Sequence, residues 1–169
     1  MFGLTNLGLF HTVISVVALV AGAAALVRDK EISPRSGLGQ VYLWTTIITC
    51  LTGFGIFQHG GFGKPHALGV LTLVALGVAA VAERTGLFGR GSAYVSTLSY
   101  SLTFFLHFIP GATETFTRLP AGNPVFSSPE APALQALIGT FFFSFLVGAT
   151  LQVLRLRRGH QSAGAVRLV

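Results

Sequence analysis

Five long apolar segments constrain the fold of this chain more than any other feature of its sequence. They lie at about residues 4–27, 40–57, 65–81, 93–115 and 133–154. A helix that crosses a bilayer needs about 20 largely apolar residues, and each segment comes close to that length. Only 9% of the residues are charged, whereas charged residues make up about a quarter of a soluble domain. The sequence therefore predicts one all-α domain, residues 1–169, folded as a transmembrane bundle of five spans.

The basic residues indicate which side of the membrane each connection faces. Nine of the eleven Lys and Arg residues follow the first, third or fifth segment: Arg28, Lys30, Arg35, Arg84, Arg90, Arg155, Arg157, Arg158 and Arg167. Only Lys64 and Arg118 lie on the other side. Cytoplasmic connections are enriched in Lys and Arg. We therefore expect the N-terminus outside and the C-terminus in the cytoplasm of a bacterial inner membrane.

The same arrangement of cations explains the net charge of +6 without nucleic acid as a partner. The expected partners are the lipid bilayer and either other membrane subunits or further copies of the chain. The single cysteine, Cys50, lies inside the second segment, so it forms neither a disulfide framework nor a thiolate metal motif. No phosphate-binding loop, nucleophile elbow or metalloprotease helix occurs. The sequence therefore assigns no catalytic residue and leaves open whether the protein is an enzyme.

Four of the five histidines fall on the outer side in this topology. His11 and His107 lie inside the first and fourth segments, at depths that we expect to be similar, and His59 and His66 flank the connection between the second and third. Glu114 follows His107 by seven residues and so shares its helix face. Ionisable residues in spans are rare and normally face an interior, a cavity or a partner. The sequence therefore predicts an outward-facing, histidine-rich pocket.

Two imidazoles at one depth on opposing helices can hold a haem, and imidazole is also a common ligand of iron, copper and zinc. The first hypothesis is therefore electron transfer or cofactor handling, with haem b or a transition metal bound by His11 and His107. In a compact metal site, His59, His66 and Glu114 would join that pair.

Three other interpretations remain open: a purely structural cluster, an accessory subunit of a membrane complex, and a small proton-coupled carrier. In the last of these, His107 and Glu114 would work with Tyr100 and a stripe of threonines on the second segment. That stripe consists of Thr45, Thr49 and Thr52, and it ends at His59.

Two short patterns resemble bacterial predicted membrane proteins of unknown function. One pairs the first-helix histidine, His11, and its small-residue run with a helix start that contains Gly39 and Tyr42. In such proteins His-Arg precedes that start, where this chain has Arg35 and Ser36. The other pattern is His107-Phe108-Ile109-Pro110, followed by Glu114 and Arg118-Leu119-Pro120. The resemblance covers about a third of the chain and implies a bacterial inner-membrane protein of unassigned activity.

Overall fold

A computed structural model describes residues 5–56 and 61–166, with side chains as far as Gly159. Within these ranges the chain forms five α-helices and no strand, which confirms the all-α prediction. The helices are α1 (Asn6–Arg28), α2 (Gly37–Gly53), α3 (Lys64–Thr85), α4 (Ser92–Arg118) and α5 (Pro132–Val166). A 3₁₀ turn, Gly89–Gly91, precedes α4. Each helix overlaps the apolar segment from which it was predicted.

Local chemistry explains where three of the helices begin and where α3 ends. The hydroxyls of Thr5 and Ser36 accept hydrogen bonds from backbone N–H groups in the first turns of α1 and α2, each at 3.1 Å. Such caps satisfy donors that have no partner inside the helix. Pro65 occupies the first turn of α3, where a missing N–H costs nothing. Gly86 ends α3 with a φ of 62°, a left-handed conformation that favours glycine.

The interior of the bundle contains many small and hydroxyl-bearing side chains, and many apolar side chains lie on its exterior. Ala18, Ala25 and Ala79 are fully buried, whereas Val20 is 65% exposed and Val27 is 73% exposed. Water would disfavour such an exterior, but a bilayer does not, and small residues let membrane helices approach one another closely. The small-residue run of the first segment follows this rule, since its members Ala18, Ala21, Gly22 and Ala25 are buried.

Three helices, α1, α3 and α5 as far as Gly159, are long and apolar enough to cross a membrane. The chain is therefore a helical membrane protein. The other two helices differ in character. At 1.5 Å per residue the 17 residues of α2 span only about 25 Å, and the 27 residues of α4 place many hydroxyl groups on its buried face.

The helix boundaries differ from the predicted spans by a few residues at several ends, and two of the differences have a clear physical reason. α2 begins three residues before the predicted start at residue 40, because the cap at Ser36 fixes its first turn. α5 continues to Val166 rather than stopping near residue 154. Apolarity marks where a helix can meet lipid, but the backbone stays helical through the arginine-rich stretch that follows, since arginine is a good helix former.

Neighbouring helices in the sequence are also neighbours in space. α1 packs most extensively on α2, and α3 packs on α4. α5 contacts only α4 among the described helices. α4 is therefore the central element: α3 and α5 pack along it, α1 touches it over a short stretch, and α2 reaches it through the side chain of Tyr42.

Two polar connections tie the basic loops to one end of the bundle. Arg35, between α1 and α2, forms an ion pair with Glu83 at the end of α3, with 3.1 Å between Nε and Oε1. Arg155 of α5 donates to the carbonyl of Asp29 at 2.7 Å. The sequence placed the cations that follow α1, α3 and the apolar part of α5 on one side of the membrane. Those that the structure describes lie at the same end of the bundle, which we call the basic end.

Candidate functional site

His11 is half-buried between α1 and the last turns of α2. Its Nδ1 lies 3.0 Å from the hydroxyl oxygen of Thr52. That hydroxyl has one proton, which it donates to the carbonyl oxygens of its own helix, at 2.8 Å to Ile48 and 3.1 Å to Thr49. Thr52 must therefore accept from His11, which places the proton of the neutral ring on Nδ1. Gly53 leaves room for this ring, since a Cβ there would lie 3.2 Å from its Cε1.

His107 lies in the middle of α4 and is only 8% exposed. Its Nδ1 is 3.0 Å from the carbonyl oxygen of Thr103, which can only accept, so Nδ1 carries the proton of the neutral ring. Nε2 therefore has a lone pair, and within the described ranges this buried atom has no hydrogen-bond partner. Leaving a buried polar atom unpaired costs about 1–3 kcal/mol. This nitrogen is thus well placed to take a proton or a cation.

Tyr42 joins α2 to α4 beside His107. It is fully buried, its ring centre lies 5.9 Å from that of His107, and its hydroxyl is 2.8 Å from the hydroxyl of Thr103. Gly39, one turn earlier, lies so close to the preceding loop that a Cβ would clash with the carbonyl oxygen of Ser33. Both residues thus have structural roles. Gly39 lets the start of α2 approach the preceding loop, and Tyr42 places a buried ring beside α4.

Two threonine hydroxyls follow Tyr42 along the buried face of α2. Thr46 and Thr49 are four and seven residues farther on, and so lie on the same face. The Thr49 hydroxyl has no hydrogen-bond partner within the described part of the chain. The Thr46 hydroxyl lies near that of Tyr42, but in a geometry too poor for a normal hydrogen bond. This stretch of α2 therefore places two hydroxyl groups in the interior that make no normal hydrogen bond within the described part of the chain.

The threonine stripe differs from its prediction at one position. Thr45 was placed in it, but its hydroxyl donates to the carbonyl of Val41 at 2.6 Å on the outside of the bundle. Thr46 takes the interior position instead. Spacings of three and four both suit one helix face, so the sequence could not choose between adjacent threonines. Thr49 and Thr52 do lie on the inward side, and His59 is outside the described residues.

The two membrane histidines are staggered, although similar depths were expected. His11 contacts Thr52, and the ring of His107 lies against Tyr42, ten residues earlier on α2. Ten residues of helix span about 15 Å. Two nitrogens that bind one metal ion must come within about 4 Å of each other, since metal–nitrogen bonds are about 2 Å long. The contacts of the two rings thus lie at different levels of α2 rather than at one level.

Glu114 lies near the end of α4 that is opposite the basic end. Its carboxylate is 2.6 Å from the guanidinium of Arg118, one turn farther along the helix, as the spacing of four residues suggests. Three of the predicted site residues thus follow one another along the bundle in the order Glu114, His11, His107, where His11 lies beside Thr52 and His107 beside Tyr42.

The remaining two predicted ligands are placed differently. His66 is buried at the start of α3, where its Nδ1 accepts a hydrogen bond from the backbone N–H of Gly63 at 3.2 Å. Its ring packs near those of Phe54 and Phe62, with centres 6.4 and 5.3 Å away. His59 lies outside the described residues. Across the described residues, no three His, Cys, Asp or Glu side chains are grouped so that they could hold a metal ion.

Glu83 extends this line of polar groups to the basic end, and the sequence alone did not single it out. Its Oε2 accepts a hydrogen bond from the hydroxyl of Tyr100 at 3.2 Å, and its Oε1 pairs with Arg35. Tyr100 is buried, and its carbonyl accepts from Thr103 at 2.7 Å. The available signal was a carboxylate near the end of an otherwise apolar helix, which by itself looks like an interfacial charge.

A row of polar side chains thus runs through the interior between α1, α2 and α4 and ends at α3. We call it the polar column, and from the end opposite the basic end its members are Glu114, His11, Thr52, Thr49, Thr46, His107, Tyr42, Thr103, Tyr100 and Glu83. Its two ends are carboxylates and its middle is buried. Comparison with protein-family models, curated proteins and solved structures finds no match to this chain.

Proposed function

We propose that this protein is a small proton carrier that moves protons along the polar column. The observation that carries the proposal is the set of three buried polar atoms in the middle of the column that lack hydrogen-bond partners within the described ranges. They are the hydroxyl oxygens of Thr46 and Thr49 and Nε2 of His107. Buried polar groups nearly always find a partner, so unpaired ones in native proteins need an explanation. A proton that passes through this region on a water molecule would explain why these atoms have no fixed partner.

The groups of the column have the chemistry that proton transfer needs. A neutral imidazole accepts a proton on its unprotonated nitrogen and can release it again. In His107 this nitrogen is Nε2, while Nδ1 keeps its own proton against the carbonyl of Thr103. Hydroxyl groups accept and donate at once. Glu114 and Glu83 would collect and release protons at the two ends, and ionisable residues inside membrane bundles commonly form such relays.

The topology that we propose for this function has five spans in a bacterial inner membrane, with the N-terminus outside. α1 and α3 are both apolar enough to cross, and α2, which joins them, packs along α1. An ion pair at the end opposite the basic end, 3.3 Å between Lys64 and Glu130, ties the start of α3 to the α4–α5 connection. The positive-inside rule then directs the basic end to the cytoplasm.

Five helices are few for an alternating-access carrier. We therefore include in the proposal that the chain assembles with other copies of itself or with other membrane subunits. The resemblance to bacterial membrane proteins of unknown function supports the proposed location and adds nothing about activity.

Binding of haem b or a transition metal is the second candidate, and one observation favours it. A histidine that ligates a metal usually donates its other ring N–H to a carbonyl or carboxylate, as His107 does to Thr103. The stagger between His11 and His107 argues for a ligand held by His107 with other groups rather than by that pair. An absorption spectrum and a metal analysis of purified protein test this candidate, since a bis-imidazole haem has a sharp Soret band.

Proton flux into liposomes tests the proposed function. The protein is reconstituted with a pH-sensitive dye inside, and a potassium gradient with valinomycin drives protons across. We expect wild-type flux well above that of empty liposomes, and His107→Gln to lower it at least tenfold because glutamine cannot shuttle a proton. His66→Gln is the matched control, since this buried histidine lies off the column. Flux equal to that of empty liposomes, or equal loss in both variants, would contradict the proposal.

A further inference from the structure

A groove between α4 and α5 offers an apolar surface that no described part of the chain covers. It has a volume of about 230 Å³, is open on one side, and is lined chiefly by phenylalanines. They are Phe104, Phe105, Phe108, Phe141 and Phe145. α5 contacts only α4 among the described helices, so the groove faces the bilayer. Its lining suits a hydrocarbon chain.

A second cavity of about 450 Å³ lies toward the basic end and shares one lining residue, Gln152, with the groove. The charged groups that line it are Lys30, Glu31 and Arg155. The guanidinium of Arg155 has five N–H donors, and in the described part of the chain one of them is used by the carbonyl of Asp29. Lys30 and Arg155 outweigh Glu31, so the cavity has a net positive charge. The remaining N–H donors of Arg155 suit the oxygens of a phosphate group.

Gln152 lines both cavities and holds the boundary between them. Its amide oxygen accepts from the hydroxyl of Ser101 at 2.9 Å, and its amide nitrogen donates to the carbonyl of Lys30 at 3.0 Å. Lys30 has a φ of 65°, which non-glycine residues rarely adopt. A buried glutamine thus fixes the backbone of the cationic loop against α4 and α5. The apolar groove and the cationic cavity therefore keep one relative position.

We propose that these two cavities together bind one anionic membrane phospholipid, with an acyl chain in the groove and the phosphate headgroup beside Arg155 and Lys30. Charge complementarity selects this occupant, because a second copy of the chain would bring its own basic end to the same place. Basic pockets between membrane helices on the cytoplasmic side characteristically bind anionic headgroups. The site is separate from the polar column and uses none of its residues.

Native mass spectrometry of the full chain in detergent tests this proposal. The probes are dioleoyl phosphatidylglycerol, dioleoyl phosphatidylcholine and inorganic phosphate. We expect retention of phosphatidylglycerol, with about fivefold less phosphatidylcholine and no retained phosphate, because the site needs both tail and charge. Equal retention of the two lipids would overturn the proposal, and phosphate retained as well as the lipid would show a simple anion site.

Two variants with matched controls separate the headgroup from the tail. Arg155→Gln should lower phosphatidylglycerol retention about fivefold, whereas Arg157→Gln, two residues farther on and outside the cavity lining, should not. Gly148→Leu should lower it by filling the groove, since a Cβ there meets nothing within 4 Å, whereas Gly139→Leu, equally open but outside the groove, should not. Circular dichroism confirms folding. Unchanged retention in both test variants, or a dimer that Gly148→Leu dissociates without loss of lipid, would overturn the proposal.

Discussion

The two faces of α4 differ in almost every physical respect. Toward α1 and α2 it presents His107, Thr103 and Tyr100, in an interface so close that Gly22 of α1 touches the Phe104 and Tyr42 rings. Toward α5 it presents phenylalanines that leave a groove open on one side. Close packing with unpaired polar atoms is typical of a functional interior, whereas a loose aromatic surface is typical of a lipid contact. The polar face of α4 thus belongs to the polar column, and its aromatic face belongs to the groove.

Adding one methyl group to α1 or to α5 tests the difference in packing between the two faces of α4. It is also where we expect the largest effect. A Cβ at Gly22 would lie 2.7 Å from Phe104 and 2.8 Å from Tyr42, whereas one at Gly148 would meet nothing within 4 Å. Gly22→Ala should therefore destabilise the protein by about 2 kcal/mol. Gly148→Ala should be neutral or stabilise it by up to about 1 kcal/mol, because alanine favours helix. Thermal unfolding in detergent measures both, and equal effects would refute the difference.

Removal of one buried hydroxyl group tests the link between α2 and α4. Tyr42→Phe loses the 2.8 Å hydrogen bond to Thr103 and should cost about 1 kcal/mol. Thr103→Val removes the same bond from the other side. In a double-mutant cycle the two costs should therefore not add. Fully additive costs would mean that the bond does not stabilise the interface.

A substitution at Thr49 should raise the stability of the protein while it lowers proton flux. The hydroxyl of Thr49 is buried and unpaired in the described part of the chain, so Thr49→Val should stabilise the protein by about 1 kcal/mol. It should also interrupt the polar column. Thr72→Val is the control, because this buried hydroxyl donates to the carbonyl of Leu68 at 2.8 Å; it should not stabilise the protein and should leave flux unchanged. A Thr49→Val protein that is less stable would show that its hydroxyl is paired.

The smallest expected effect belongs to the basic end. Arg35→Gln breaks the ion pair with Glu83, but the arginine side chain is 81% exposed. Surface ion pairs contribute about 0–1 kcal/mol and weaken with salt. The loss should therefore be small and should shrink further at high ionic strength. A loss that salt does not change would indicate that the pair is shielded within the assembled protein.

The sequence predicted the helices well and the site only in part. Apolar length alone located all five helices, and the small-residue run correctly indicated close packing, since both depend on local composition. The relative depth of His11 and His107 could not be predicted, because it depends on how far α1 and α4 slide along α2. That position is fixed by tertiary contacts, such as Gly22 against Tyr42.

The inner half of the column was hidden for a related reason. Glu83 enters it only through contacts with Arg35 and Tyr100, which are distant in the sequence. Thr46 and Thr45 are adjacent threonines, and only the rotation of α2 decides which of them faces inward. The aromatic groove likewise depends on α5 standing apart from α1, which no composition reveals.

Contact between His107 and water tests the central claim most directly. In solid-state NMR of the protein in hydrated bilayers, magnetisation that starts on water is transferred to side chains that water reaches or that exchange protons with it. The account predicts early transfer to the ring of His107 despite its burial, and late transfer to Phe105 on the opposite face of α4. Transfer to His107 as slow as to Phe105 would mean that the column is dry and closed to protons, which would contradict the account.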